Sequence, residues 1–271
     1  MKLIEKELIG KKNQEVCEDG YLYNDNFVAV VDGATDKTNI DFNGKKGGYI
    51  IKEAVLRAIS TFDSKIDKKE ALLVLNAVVQ EEYKKYNLLE RMQNNIMDRA
   101  ACAFAIYSDY RKEIWVVGDC QILIDNEEYN FGKEVDRINS EMRSLVNNIY
   151  LEQGGTIEEL TNRDIGREAI MGVLKTQSLY SNNIHSIYGY DNFDGIYEVE
   201  GKTIKVKNDV KQIILSSDGY PKLYSSLSES ENYLATVLKE DPLLINKFLS
   251  TKGIAEGLKS FDDRVYLRFC F

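Results

Sequence analysis

Histidine is almost absent from this sequence. One residue in 271, His185, could serve as an imidazole base or ligand. That excludes a histidine-rich zinc centre and leaves Ser-His-Asp or Cys-His catalysis a single residue to depend on. His185 falls in the polar run Ser181-Asn182-Asn183-Ile184-His185-Ser186 and reads as a loop histidine with no catalytic part. Proline occurs twice, at Pro221 and Pro242, and no Gly/Ser-rich or Pro-rich run marks a linker. One domain over residues 1–271 is therefore expected, with 44% hydrophobic residues to fill its core. The four cysteines, Cys17, Cys102, Cys120 and Cys270, form no Cys-x-x-Cys pair, which points to a reducing compartment. No apolar run is long enough to cross a bilayer, and Met1–Gly10 alternates apolar and charged residues without a leader-like apolar core. A cytoplasmic location away from membranes is expected. Excess positive charge is lacking as well. The formal net charge of −9 argues against a nucleic-acid partner, since such affinity rests on neutralising phosphates.

The order of elements predicts an α+β layered domain. Lys2 to Ile9 alternates as a strand, and Phe27-Val28-Ala29-Val30-Val31 reads as a buried strand stopping at an Asp32-Gly33 turn. Two amphipathic helices follow, Gly48 to Phe62 and Lys68 to Tyr86, the second capped by Asp67 or Ser64. Ala101 to Tyr107, Glu113 to Val117 and Gln121 to Asp125 are too closely spaced for helical crossovers and predict antiparallel hairpins. Val135 to Gln153 and Arg167 to Leu174 read as helices within a mixed region that ends in a loop at Gly195. Strands are expected at Ile196–Val199, Thr203–Val206, Gln212–Leu215 and Val265–Phe271, and helices at Ser228–Lys239 and Pro242–Leu249.

Acidic residues gather where strands begin and end: Glu18-Asp19, Asp32-Gly33, Asp119, Asp218-Gly219 and Asp262-Asp263. Any one Asp-Gly is what a tight turn would use. Packed antiparallel strands can bring several such ends together on one rim, where the carboxylates cannot all stay ionised without cations. Hard oxygen donors suit Mg²⁺ or Mn²⁺, and no Cys/His set competes for zinc.

Glu18-Asp19, then Val28-Ala29-Val30-Val31-Asp32-Gly33, Val116-Val117-Gly118-Asp119, Ile213-Ile214-Leu215-Ser216-Ser217-Asp218-Gly219 and Asp262-Asp263 resemble the ordered motifs of the PP2C (PPM) metal-dependent Ser/Thr phosphatases, from about Asn13 to Phe269. The resemblance, to a divergent bacterial-type member, implies a four-layer α-β-β-α sandwich of two antiparallel sheets flanked by helices. It implies a hydrolase using two Mn²⁺ or Mg²⁺ ions, with a third weakly held. Asp32 would bridge both metals, Glu18 and the Gly33 carbonyl would complete one site, and Asp218 and Asp262 the other. Asp119 with Asp218 would match the third. Asp19 would hold water beside the metals, so that Asp32 and Asp19 act in the chemistry. Two metals roughly 3.5–4 Å apart make hydroxide available near neutral pH. The implied partner is a phosphoserine or phosphothreonine protein, or a small phosphorylated molecule.

The match departs from the pattern at three places. Ala34 stands where the family often has a histidine that protonates the leaving oxygen, so water must supply that proton. Gln14 replaces a phosphate-gripping arginine, with Lys11, Lys12, Lys37 and Arg99 as substitutes, although a lysine lacks the bidentate fork. Tyr220-Pro221-Lys222 lacks a further acidic residue. Two other readings compete. One is a non-catalytic PP2C-like sensor or interaction module. The other is a haloacid-dehalogenase-like phosphatase with Asp32 as nucleophile and Asp36-Lys37-Thr38 echoing a phosphorylated site, but that fold needs helical crossovers.

Overall fold

In a computed structural model, the described residues are 1–34, 37 and 40–271; Asp36 and Thr38 lie outside them. The strands are β1 (Lys2–Ile9), β2 (Asp19–Tyr23), β3 (Phe27–Gly33), β4 (Cys102–Ser108), β5 (Glu113–Val117), β6 (Gln121–Ile124), β7 (Glu127–Tyr129), β8 (Lys202–Lys205), β9 (Gln212–Ser216) and β10 (Arg264–Cys270). The helices are α1 (Gly47–Ile59), α2 (Lys68–Lys85), α3 (Leu89–Asn94), α4 (Glu134–Glu152), α5 (Ile157–Asn162), α6 (Ile165–Thr176) and α7 (Leu227–Glu240).

The strands form two five-stranded sheets. One runs β1-β10-β9-β6-β7 and the other β2-β3-β4-β5-β8. Among the described residues, every pairing of named strands within each sheet is antiparallel, which overturns the haloacid-dehalogenase reading, because that fold is built on parallel strands.

Strand alternation creates the layers. On β3, Val28 and Val30 enter the core between the sheets, with Ala103, Ala105 and Tyr107 of β4 and Leu215 and Leu267 of the other sheet. Phe27, Ala29 and Val31 turn outward to meet Ile51, Ala54 and Val55 of α1 and Leu75, Val79 and Tyr83 of α2. On the far side Ile214 and Tyr266 meet Leu234 and Val237 of α7. The expected four layers are thus present. Each fully buried aliphatic side chain contributes about 1.5–3 kcal/mol relative to exposure. Helix α2 starts where a capping box forms, the Asp67 carboxylate accepting from the Glu70 amide at 2.9 Å.

Several local expectations need correction. Asp32-Gly33 is not a turn. Both residues remain in β3, opposite Ala103 and Cys102, so the strand carries its acid to the sheet's end. The strands flanking Gly118 do not form a hairpin. β5 pairs within one sheet and β6 within the other, so Gly118-Asp119-Cys120 passes between sheets, with Gly118 at φ +84°. Ile196–Val199 is not a strand, because the Asp194 carboxylate accepts from the Ile196 and Tyr197 amides and turns the chain. Pro242–Leu249 is not a helix. The buried Asp241 carboxylate accepts from the amides of Ile245, Asn246 and Lys247 and coils the segment around itself.

This last arrangement positions the 250–253 loop. Leu243 and Ile245 pack against Leu160 of α5, and Arg143 of α4 donates to the carbonyls of Leu243 and Ser250 at 2.8 and 2.9 Å. Asp241→Ala orphans several amides, one of them in the buried Ile245, and is expected to cost about 2 kcal/mol or more. A lowered urea midpoint would show it; an unchanged midpoint would mean that the loop holds its shape without the carboxylate.

Candidate active site

The site begins with a register. Asp19 on β2 lies directly opposite Asp32 on β3. Asp32 continues the parity of Val28 and Val30, so both acids belong to the inter-sheet side, at the end of the strands. The other sheet brings Asp218, two residues past β9, whose amide donates to Asp32 Oδ2 at 3.5 Å. Sequence positions 186 residues apart thereby meet where the two sheets end.

The first loop is clamped on this point. The Asp263 carboxylate accepts from the Lys11 amide at 2.7 Å and from the Glu18 amide at 3.0 Å. Glu18 in turn accepts the Gly33 amide on its carbonyl at 3.0 Å. Close approach demands glycine here. A Cβ on Gly33 would lie 2.5 Å from the Gly48 carbonyl oxygen, and one on Gly48 would lie 2.7 Å from Glu18 Oε1. The Glu18 carboxylate therefore sits beside the first turn of α1.

Charge in this cluster is poorly balanced. Asp19 is buried, and its Oδ2 has no hydrogen-bond partner among the described residues. Burial first, then Asp262, Asp263 and Asp218, push its carboxyl well above the usual range, against a hydrogen bond from Ser217. Burial and the charges of Asp19, Asp119 and Asp262 do the same to Asp32. Burial and the charges of Asp32, Asp262 and Asp119 raise Asp218.

Lysines answer the remaining acids. Lys133 pairs with Asp119 at 2.8 Å. Lys11 pairs with Asp262 at 3.0 Å and comes within 3.6 Å of Asp263 and 4.0 Å of Glu18. Lys252 also pairs with Asp262. Burial opposes the charge on Asp262, but Lys252 and Lys11 outweigh it and hold that carboxyl below its usual range.

Asp32, Asp119, Asp218 and Asp262 floor a cleft of about 790 Å³, which Asp19 does not line. Its walls include Lys37, Lys133 and Asp136 with Arg167 of α6 and the 250–253 loop. The expected residues are placed differently. The charges of Asp119 and Asp262 bear on Asp32 and Asp218, and those of Asp262 and Asp218 on Asp19; Glu18 and Gly33 border them. Lys11 is turned onto Asp262, while Lys12 and Gln14 are exposed. Arg99 borders the cleft, but its guanidinium is tied to Asp194 at 3.1 Å and to the Met92 carbonyl at 2.7 Å. His185 lies exposed in a turn. Lys133, Lys252, Arg167 and Asp263 were not anticipated as site residues. Only Asp263 carried a local signal, as the second acid of Asp262-Asp263.

Asp19, Asp32 and Asp218 offer oxygen donors paired with no lysine or arginine among the described residues, which fits a hard divalent cation. Asp119 and Asp262 are occupied by lysines. Among the described residues no group of three or more His, Cys, Asp or Glu side chains stands in a metal-holding arrangement. A cation drawing on Asp262 would compete with Lys11 and Lys252 for it.

No family model matches the sequence, and no curated protein matches it. Solved structures do. The Mycobacterium tuberculosis serine/threonine phosphatase PstP/Ppp matches with a TM-score of 0.50 and 13% identity, over 99% of this chain and 98% of that one. Serine/threonine phosphatase Stp1 from Staphylococcus aureus matches with a TM-score of 0.47 and 15% identity, over 98% and 94%. The catalytic domain of PstP in complex with 2 manganese ions matches with a TM-score of 0.47 and 14% identity, over 97% and 96%. The fold is the two-sheet sandwich of PP2C-type phosphatases.

Removing one of the opposed charges relieves repulsion. Asp32→Asn is expected to stabilise the metal-free protein by about 1 kcal/mol, a rise of about 2–4 °C in thermal midpoint. A fall in midpoint would show that the Asp32 charge is already compensated.

Proposed function

We propose that this chain is a metal-dependent phosphomonoester hydrolase that acts on phosphoserine and phosphothreonine in proteins. The observation that carries this reading is the meeting of Asp32 with Asp218 on the floor of a cleft, with Asp19 in register behind Asp32. The fold shared with a solved serine/threonine phosphatase agrees with it. A small phosphorylated molecule would be attacked by the same chemistry.

Glu18, Asp32 and the Gly33 carbonyl would hold one Mn²⁺ or Mg²⁺ ion, and Asp32, Asp218 and Asp262 a second. Asp119 with Asp218 would hold a weaker third. Bound there, the cations supply Lewis acidity toward the phosphoryl group and acidify water near neutral pH. Asp19 would hold water there with its Oδ2, which no donor among the described residues claims. Ala34 brings no proton donor to the leaving oxygen, so its proton comes from solvent. Lys133, on Asp119, keeps positive charge at the cleft wall. No helix among the described residues is long and apolar enough to cross a membrane. The free cysteines, three of them buried, agree with a reducing cytoplasm as the place of action.

A second reading has an observation of its own. Lys11 and Lys252 on Asp262, with Lys133 on Asp119, are the counter-ions that a non-catalytic PP2C-like module would keep permanently.

Turnover separates the two. With Mn²⁺ the protein is expected to hydrolyse p-nitrophenyl phosphate and a phosphothreonine peptide, and chelation should abolish both activities. Asp218→Asn should lower kcat/KM by about 10²–10³-fold or more. Metal binding without turnover would favour the module, and full activity after exhaustive chelation would contradict the metal mechanism.

A further inference from the structure

In the first loop, Lys11 is turned onto Asp262, and neither Lys12 nor Gln14 lines the cleft. Gln14 is exposed and its Oε1 accepts from the Gly10 amide at 3.4 Å. Lys11 is engaged with Asp262, Lys12 is exposed, and Arg99 is held by Asp194 and two backbone carbonyls. The opposite wall differs. Arg167, on the first turn of α6, donates from Nη1 to the Thr251 carbonyl at 2.6 Å. Its Nε and Nη2 enter no hydrogen bond or ion pair among the described residues, and the side chain lines the cleft. The Thr251 contact places this guanidinium next to Lys252, whose ammonium is on Asp262. Lys37 lines the same cleft.

We propose that the phosphoryl group is gripped from the α6 side of the cleft, by the free edge of Arg167 flanked by Lys252 and Lys37. This deepens the hydrolase reading and rests on it for turnover. A guanidinium edge presents two parallel N–H donors to a phosphate, which a lysine cannot do. The surrounding charge agrees. Burial first, then the cations Lys252, Arg167 and Lys133, pull the Lys37 ammonium down to about 8, against Asp136. A dianion arriving there relieves that crowding. It also gives Lys252 an alternative partner to Asp262, so the step that fills the phosphate position frees a carboxylate on the floor. The preferred ligand is a phosphate monoester dianion with its ester oxygen directed outward.

The test uses the full chain with Mn²⁺ and two variants. Arg167→Gln keeps an N–H for Thr251 but removes the fork, and Arg167→Lys keeps the charge. Inorganic phosphate binding by calorimetry and KM for p-nitrophenyl phosphate are read beside Mn²⁺ affinity and thermal midpoint. Arg167→Gln should weaken phosphate binding and raise KM by about tenfold to a hundredfold. Mn²⁺ affinity and midpoint should hold, with Arg167→Lys falling between. Unchanged phosphate affinity in both variants, or no phosphate binding by the wild type, overturns the grip. Wild-type turnover with KM unmoved in both variants refutes the grip and leaves the hydrolase standing. Phosphate binding lost in Arg167→Gln, without wild-type turnover, supports the grip and refutes the hydrolase.

Discussion

Two carboxylates face each other across adjacent strands at the end of the sheet interior, and much else in this molecule answers that repulsion. Like charges directly opposite on a sheet destabilise it, more so where water is scarce. Asp19 and Asp32 are nonetheless in register, and a third acid, Asp218, is hydrogen-bonded to Asp32 from the other sheet. The surrounding structure holds them there. Asp263 pins the first loop through two amides, Gly33 and Gly48 allow the chain and α1 to close on Glu18, and the buried sheet core fixes the strand ends. A fold that retains such a cluster spends stability on it, which is the usual sign of a functional centre.

The cations are as informative as the acids. Lys11 and Lys252 converge on Asp262, and Lys133 on Asp119, so the outer acids are neutralised from within while Asp19, Asp32 and Asp218 are not. The cleft consequently has an acidic floor and a basic wall formed by α6 and the loop after Asp241. A substrate carrying a phosphate dianion matches that polarity when divalent cations cover the floor.

Much of this was legible in the residues. The strand at Phe27 and the helix capped by Asp67 follow from periodicity and capping chemistry, and the strand-end acids Asp32, Asp119, Asp218 and Asp262 do come together. Local rules failed where a side chain overrides propensity. Asp241 coils a segment that reads as helix, Asp194 breaks one that reads as strand, and nothing local distinguishes a hairpin from the change of sheet at Gly118-Asp119. The basic wall was invisible for another reason. Lys252, Lys133 and Arg167 lie in unremarkable stretches, and only the folded chain sets them over the acids.

The central claim to test is that divalent cations replace proton and lysine charge at the strand ends. Crystals soaked in Mn²⁺ test this directly through anomalous scattering. The account predicts manganese bound by Asp32 and Asp218, with Asp262 released from Lys11 and Lys252. Saturating Mn²⁺ with no anomalous peak at Asp32, and both lysines still on Asp262, would contradict it.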